Sequence, residues 1–123
     1  MYCIGERAEE QENWQEVLEK QLTTGLAGAD LTKVTIGYEP VWAIGPGKTP
    51  PGKEYMEMIG KYIKKVMGDV DVVYGGGLKK ENAAMVSSVA ELDGGLIALT
   101  RFQGEIGFYP EEYLEIIDKY MGE

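Results

Sequence analysis

Short apolar runs alternate along this chain with longer stretches in which apolar residues return every three or four positions. Tyr2 to Ile4 reads as a strand, entered in mid-run at Met1 and stopped by Gly5. From about Glu12 to Leu26, Trp14, Val17, Leu18, Gln21 and Leu22 recur at helical spacing, and Gly25 and Gly28 end the pattern. Val34 to Ile36 is a β-branched run, and Val34 to Tyr38 a second strand. Pro50, Pro51 and Gly52 prepare a helix from about Lys53 to Met67, with Tyr55, Ile59, Tyr62, Ile63 and Val66 on one face and Gly68 as its stop. Val70 to Tyr74 is a third strand, turned sharply by Gly75, Gly76 and Gly77. A short helix is expected from about Lys80 to Ser87, and a fourth strand from Gly95 to Leu99. After a loop from Arg101 to Tyr109, Pro110 opens a last helix, with Tyr113, Leu114, Ile117, Tyr120 and Met121 expected to face the core.

The order is strand then helix, four times over. That order implies right-handed crossovers and a parallel sheet. The spacing is roughly thirty residues, without a sequence repeat between the units. No linker or low-complexity segment interrupts the pattern, and 123 residues suffice for one domain.

The most informative stretch is Gly37-Tyr38-Glu39-Pro40-Val41-Trp42-Ala43-Ile44-Gly45-Pro46-Gly47-Lys48. Glu39 stands where the second strand ends. Pro40 has no N–H and holds Glu39 extended, so neither strand nor helix continues. An apolar segment and two closely spaced glycines follow. The pattern describes a strand that delivers one carboxylate to a cleft, with a compact hinged loop behind it. An apolar cover over a carboxylate excludes water and raises its proton affinity, which suits a base. The plainer alternatives are a surface glutamate at a strand end and a static hydrophobic loop.

These residues resemble the sixth strand and closing loop of the triosephosphate isomerase family. That family carries Tyr-Glu-Pro-Val-Trp-Ala-Ile-Gly, then one residue, then Gly-Lys. Tyr38 to Gly45, Gly47 and Lys48 match, and Pro46 replaces a usual threonine. Cys3-Ile4-Gly5-Glu6 resembles the end of strand five. Tyr74-Gly75-Gly76-Gly77 with Lys79, Glu81 and Asn82 resembles strand seven and its phosphate loop, and Asp93-Gly94-Gly95-Leu96-Ile97 resembles strand eight.

The resemblance implies a (βα)4 half of a TIM (β/α)8 barrel, strands five to eight, since the full fold takes about 250 residues. Met1 then falls in mid-strand, as in a fragment or a gene whose start codon interrupts an ancestral one. It also implies aldose–ketose isomerisation of a small sugar phosphate, with Glu39 moving the proton. Pro40, Val41, Trp42, Ala43, Ile44, Gly47 and Lys48 would form the lid, with Trp42 near Glu6. Gly45, Gly76 and Gly77 would bind substrate.

Backbone N–H groups in a glycine turn can cradle an oxyanion, although three glycines alone are more often only a tight turn. Two departures weaken that grip. The family has serine where Gly77 stands, and two glycines where Ala98 and Leu99 stand. Arg101 is the candidate replacement charge, with an exposed salt bridge as its alternative. Gly47-Lys48-Thr49 is not a nucleotide loop, because Trp42 occupies the position of the required glycine.

Composition narrows the picture further. Net charge is −9, which disfavours a nucleic-acid partner. A single cysteine excludes an internal disulfide, and the absence of histidine removes the commonest general acid and metal ligand. No metal or cofactor is expected. No apolar run approaches the ~20 residues of a membrane span, no signal-peptide pattern is legible, and a cytoplasmic protein is expected.

In the family, the first half carries the substrate lysine and the catalytic histidine. The isolated half is therefore expected to be inactive, or to need an N-terminal half. Four strands cannot close, so an open face carrying Ile4, Val34, Ile36, Val70, Val72 or their alternating neighbours, and Ile97, predicts a homodimer or higher homo-oligomer. The rival readings are a non-catalytic self-associating half-barrel and a weak phosphate-binding module.

Overall fold

The computed structural model describes residues 1–122. Four parallel strands form one sheet in the order β1-β2-β3-β4: β1 (Tyr2–Ile4), β2 (Thr35–Tyr38), β3 (Asp71–Tyr74) and β4 (Gly94–Gly95). The helices α1 (Trp14–Gly25), α2 (Lys53–Met67), α3 (Ala83–Ser87) and α4 (Pro110–Met121) alternate with them. This is half of a TIM-type barrel. Strand order follows chain order, as right-handed crossovers require.

Register decides which residues form the core. Tyr2, Ile36 and Val72 are aligned across the sheet, as are Ile4, Tyr38 and Tyr74. Ile4, Ile36, Tyr38, Val72 and Tyr74 are buried, together with Leu18 and Leu22 of α1 and Met56, Ile59 and Ile63 of α2. The large apolar residues of the strands therefore face the helices. The opposite, open face carries the alternating neighbours Cys3, Gly37 and Val73. Of the set expected there, Ile4, Ile36, Val70 and Val72 belong to the helix-side core instead. A period of two cannot say which of two faces is covered; the helices cover only one.

Three elements differ from expectation. β4 spans two residues, not five, because Tyr74 is the last residue of β3 and the glycine turn that follows offers Ile97 to Leu99 no ladder partner. α3 begins at Ala83, not near Lys80. The Asn82 side chain accepts from the Lys79 N–H at 2.9 Å and donates to the Gly77 carbonyl at 2.9 Å, tying the preceding residues into a turn. In α4 the buried residue is Ile116, while Leu114 and Met121 are exposed. No described helix is long and apolar enough to cross a membrane.

Candidate active site at the strand ends

Glu39, Gly75 to Gly77 and the segment after β4 all leave the sheet at its C-terminal edge, where parallel strands present their loops. Hydrogen bonds continue past the strands and fix Glu39. Its N–H donates to the Ile4 carbonyl at 2.8 Å, and the Gly75 N–H donates to the Tyr38 carbonyl at 3.0 Å. Gly5 permits the approach on one side: a Cβ there would lie 1.8 Å from the Glu39 carbonyl oxygen. Both backbone groups of Gly5 are held by the Gln21 amide, at 3.0 and 3.1 Å.

The lid is compact. Val41–Ala43 forms one 3-10 turn after Pro40, closed by the Ala43 N–H to the Pro40 carbonyl at 3.0 Å. Gly45 and Gly47 flank Pro46 with φ of 110° and 73°, a backbone that side chains disfavour and a hinge can use. Ala43 is buried, while Val41 points to solvent. Ile44 lies against Gly76, where a Cβ would come within 2.7 Å of the Ile44 side chain and 3.6 Å of Glu39 Oε2. Glycine at position 76 thus lets Glu39, Ile44 and the glycine turn meet.

Glu39, Ile44, Gly76, Gly77, Leu99 and Phe102 line one pocket of about 100 Å³. Gly45 and Lys48 join Gly76 and Gly77 around an adjoining pocket of about 10 Å³. The predicted base, lid and glycine loop are therefore contiguous. Arg101 does not reach them. Its guanidinium pairs with Glu112 at 2.8 Å and stacks 3.8 Å over the Tyr109 ring, so the salt-bridge alternative holds.

Behind the lid lies a buried carboxylate. Glu6 has no exposed surface and accepts from the Tyr38 hydroxyl at both oxygens and from the Tyr55 hydroxyl at 3.4 Å. Burial raises the Glu6 carboxyl above its ordinary pKa, while the hydroxyl donors pull it the other way. The Tyr38 hydroxyl is in turn pushed up, by burial first and then by Glu6. Trp42 stands edge-on to Tyr55, with ring centres 5.6 Å apart. Its indole N–H is close enough to favour the Glu6 charge, yet is buried without a partner in hydrogen-bonding geometry. The expected neighbourhood of Trp42 and Glu6 is present.

On the open face, the Glu39 carboxylate raises the Cys3 thiol, chiefly through a hydrogen bond, with burial and repulsion adding to it. Cys3, Tyr55, Tyr74 and Phe102 escaped the sequence reading of the site. The first could have been found from register, since Cys3 pairs with Gly37 two residues before Glu39. Tyr74 brings a buried hydroxyl without a partner beside Gly77. Phe102 comes from the loop before α4, whose path no local pattern specifies. No group of three or more potential metal ligands occurs among the described residues.

The triosephosphate isomerase family model matches residues 1–119. The chain is 38% identical over 114 residues to a triosephosphate isomerase of Dehalococcoides mccartyi, covering 84% of this chain and 45% of that protein. It is 39% identical over 111 residues to the Geobacter metallireducens enzyme of the same name, covering 79% and 44%. The Flavobacterium psychrophilum protein of that name is 37% identical over 110 residues, covering 79% and 44%. The chain thus spans about half the length of the curated relatives it matches. With the family model matched over residues 1–119 and relatives of this identity, the chain belongs to the triosephosphate isomerase family.

Proposed function

We propose that this chain supplies the proton-transferring half of an aldose–ketose isomerase acting on a small sugar phosphate. The observation that carries the reading is the meeting of Glu39, Ile44 and Gly76 at one strand edge. Glu39 takes a proton from the carbon beside the substrate carbonyl. The electron pair moves onto the carbonyl oxygen, giving an enediolate; the hydroxyl proton passes from one oxygen to the other, and the same carboxylate returns the first proton to the former carbonyl carbon, which becomes the new carbinol carbon. The lid excludes water, so the proton stays with the substrate and the charged intermediate is not quenched. The N–H groups of the glycine turn face the phosphate.

The chain contains no histidine to polarise the carbonyl. That electrophile and the opposite barrel wall come from an N-terminal half, and Gly37 and Val73 then face the closed interior. The chain alone is catalytically silent. The test is a coupled isomerase assay on the isolated chain and on the chain combined with the first half of a relative. Turnover is expected only for the combination, and Glu39→Gln lowers it by about 10²–10⁴-fold. Turnover by the isolated chain would show that the second half suffices. Turnover by the combination that survives Glu39→Gln would remove Glu39 as the base.

A further inference from the structure

The pocket beside Glu39 is small for a ligand site. It holds about 100 Å³, below the roughly 300–1,000 Å³ of ordinary small-molecule sites. A wider cleft of about 350 Å³, bordered by Lys80, Glu81, Thr100 and Gln103, shares one wall with it. That wall is Phe102, which also borders the small space around Gly45 and Lys48. One aromatic ring therefore stands between the Glu39 pocket and room for a longer ligand.

The residues before Phe102 hold it there. The Thr100 and Arg101 N–H groups both donate to the Gly107 carbonyl at 3.1 Å, and the Gly107 N–H donates back to the Arg101 carbonyl at 3.2 Å. The Tyr109 N–H donates to Thr100 Oγ1 at 2.7 Å. The Arg101 guanidinium donates to Glu112, in the first turn of α4, at 2.8 Å and lies 3.8 Å over the Tyr109 ring. Backbone and side chain on the N-terminal side of Phe102 are thus clamped to α4 and the segment before it. With its Cα fixed in this way, the ring leaves the pocket wall only by changing rotamer or by breaking the clamp.

We propose that Phe102 sets the length of ligand that the Glu39 pocket accepts, with Arg101 as its positioning residue. Ile44, Leu96, Leu99 and Phe102 line the pocket with apolar side chains. A hydroxyl pressed against them loses its water and finds no partner. A short ligand stops before the ring, whereas a longer polyol must press hydroxyl groups against it. On the far side Thr100, Gln103 and Glu81 offer those groups partners, but the ring bars the way. The inference rests on the reading of this pocket as the substrate site, and does not require Glu39 to act as a base.

The test compares two open-chain polyols with a phosphate at one end, glycerol phosphate and the longer sorbitol phosphate. They carry the same charge, so ionic effects cancel from the ratio of their Kd values. Backbone amide shifts of Gly75–Gly77 in the full chain report binding. The parent should bind the glycerol ester at least about tenfold more tightly, as one buried unpaired hydroxyl on the longer ester requires. Phe102→Ala opens the pocket into the cleft and should bring the two Kd values together, chiefly by lowering that of the sorbitol ester. Arg101→Gln, which breaks the clamp, and Phe102→Leu, which shortens the wall, should move the ratio the same way. These two milder variants serve should Phe102→Ala lose its dispersed spectrum. The proposal is overturned if the parent binds both esters alike, or if the folded variants keep the parent's ratio; the substrate site then still stands. If neither ester moves Gly75–Gly77 in any of these proteins, the substrate-site reading falls and this inference falls with it.

Discussion

Glu6 shows how one residue's surroundings become a property of the whole protein. Its carboxyl is raised in the folded state, so the unfolded chain gives up this proton first as pH climbs past the ordinary glutamate value. Its contribution to stability therefore falls as pH rises from about 4.5 toward the folded-state value, and stays low above it. In Glu6→Gln, the amide oxygen can still accept from Tyr38, and that slope disappears. Thermal melts of both proteins from pH 4 to pH 8 should show the variant gaining on the parent as pH increases. A constant gap would mean that Glu6 carries its charge as easily folded as unfolded.

Tyr74 poses a second question at this scale. Its hydroxyl is buried without a partner, and a Cβ on Gly77 would come within 2.6 Å of it. The tyrosine tip thus occupies space that a serine at position 77 would need. Gly77→Ser should lower stability by about 1–2 kcal/mol through overpacking. Tyr74→Phe, which removes an unsatisfied polar group, should be neutral or stabilising by up to about 1 kcal/mol. Denaturant melts of the double variant should recover most of what Gly77→Ser loses; purely additive effects would place the strain elsewhere.

Among the elements, the contact between the ends of β1 and β2 matters most for the site. Glu39 owes its position to a strand end that tolerates no side chain at Gly5. Gly5→Ala would drive a Cβ into the Glu39 backbone, and no rotamer relieves a backbone collision. A loss of roughly 2–3 kcal/mol is expected, at the upper end of overpacking costs. The same shift should change the Cys3 thiol, which titrates high because the Glu39 carboxylate is beside it. Alkylation of Cys3 at a fixed pH near 8 should therefore quicken in Gly5→Ala. Unchanged stability and alkylation would mean that the two strand ends can part freely. The short β4 has a similar local cause: β3 stops at the glycine turn, so no ladder exists to continue.

At the scale of the whole molecule, the sheet keeps two unpaired edges, along β1 and β4. Its open face carries Cys3, Gly37 and Val73, with the Met1 side chain against Gly37. The edges remain open for pairing, and the face still lacks its opposite wall. A second copy can supply both by a two-fold arrangement, as an N-terminal half would in a complete barrel. Light scattering at micromolar concentration should give a mass near twice 13.6 kDa or a higher multiple for the isolated chain. A folded monomer of 13.6 kDa would refute self-association, and would leave the edges protected by their own brevity.

Much of this was legible in the chain itself. Helical spacing located α1 and α2, because burying one face of a helix requires apolar residues every three to four positions. Glu39-Pro40 marked the strand end, because proline ends both regular structures on local steric grounds. Glu39, the segment to Lys48 and the glycine turn could be singled out for the same reason: each motif consists of residues adjacent in sequence. Which face of the sheet the helices cover, and that Arg101 turns to Glu112 instead of Gly77, depended on long-range packing. So did the burial of Glu6 beneath two tyrosines and the placing of Phe102 between two cavities. Those contacts join residues from 11 to 49 positions apart, and their energies are set by shape and solvent exclusion, which no local pattern encodes.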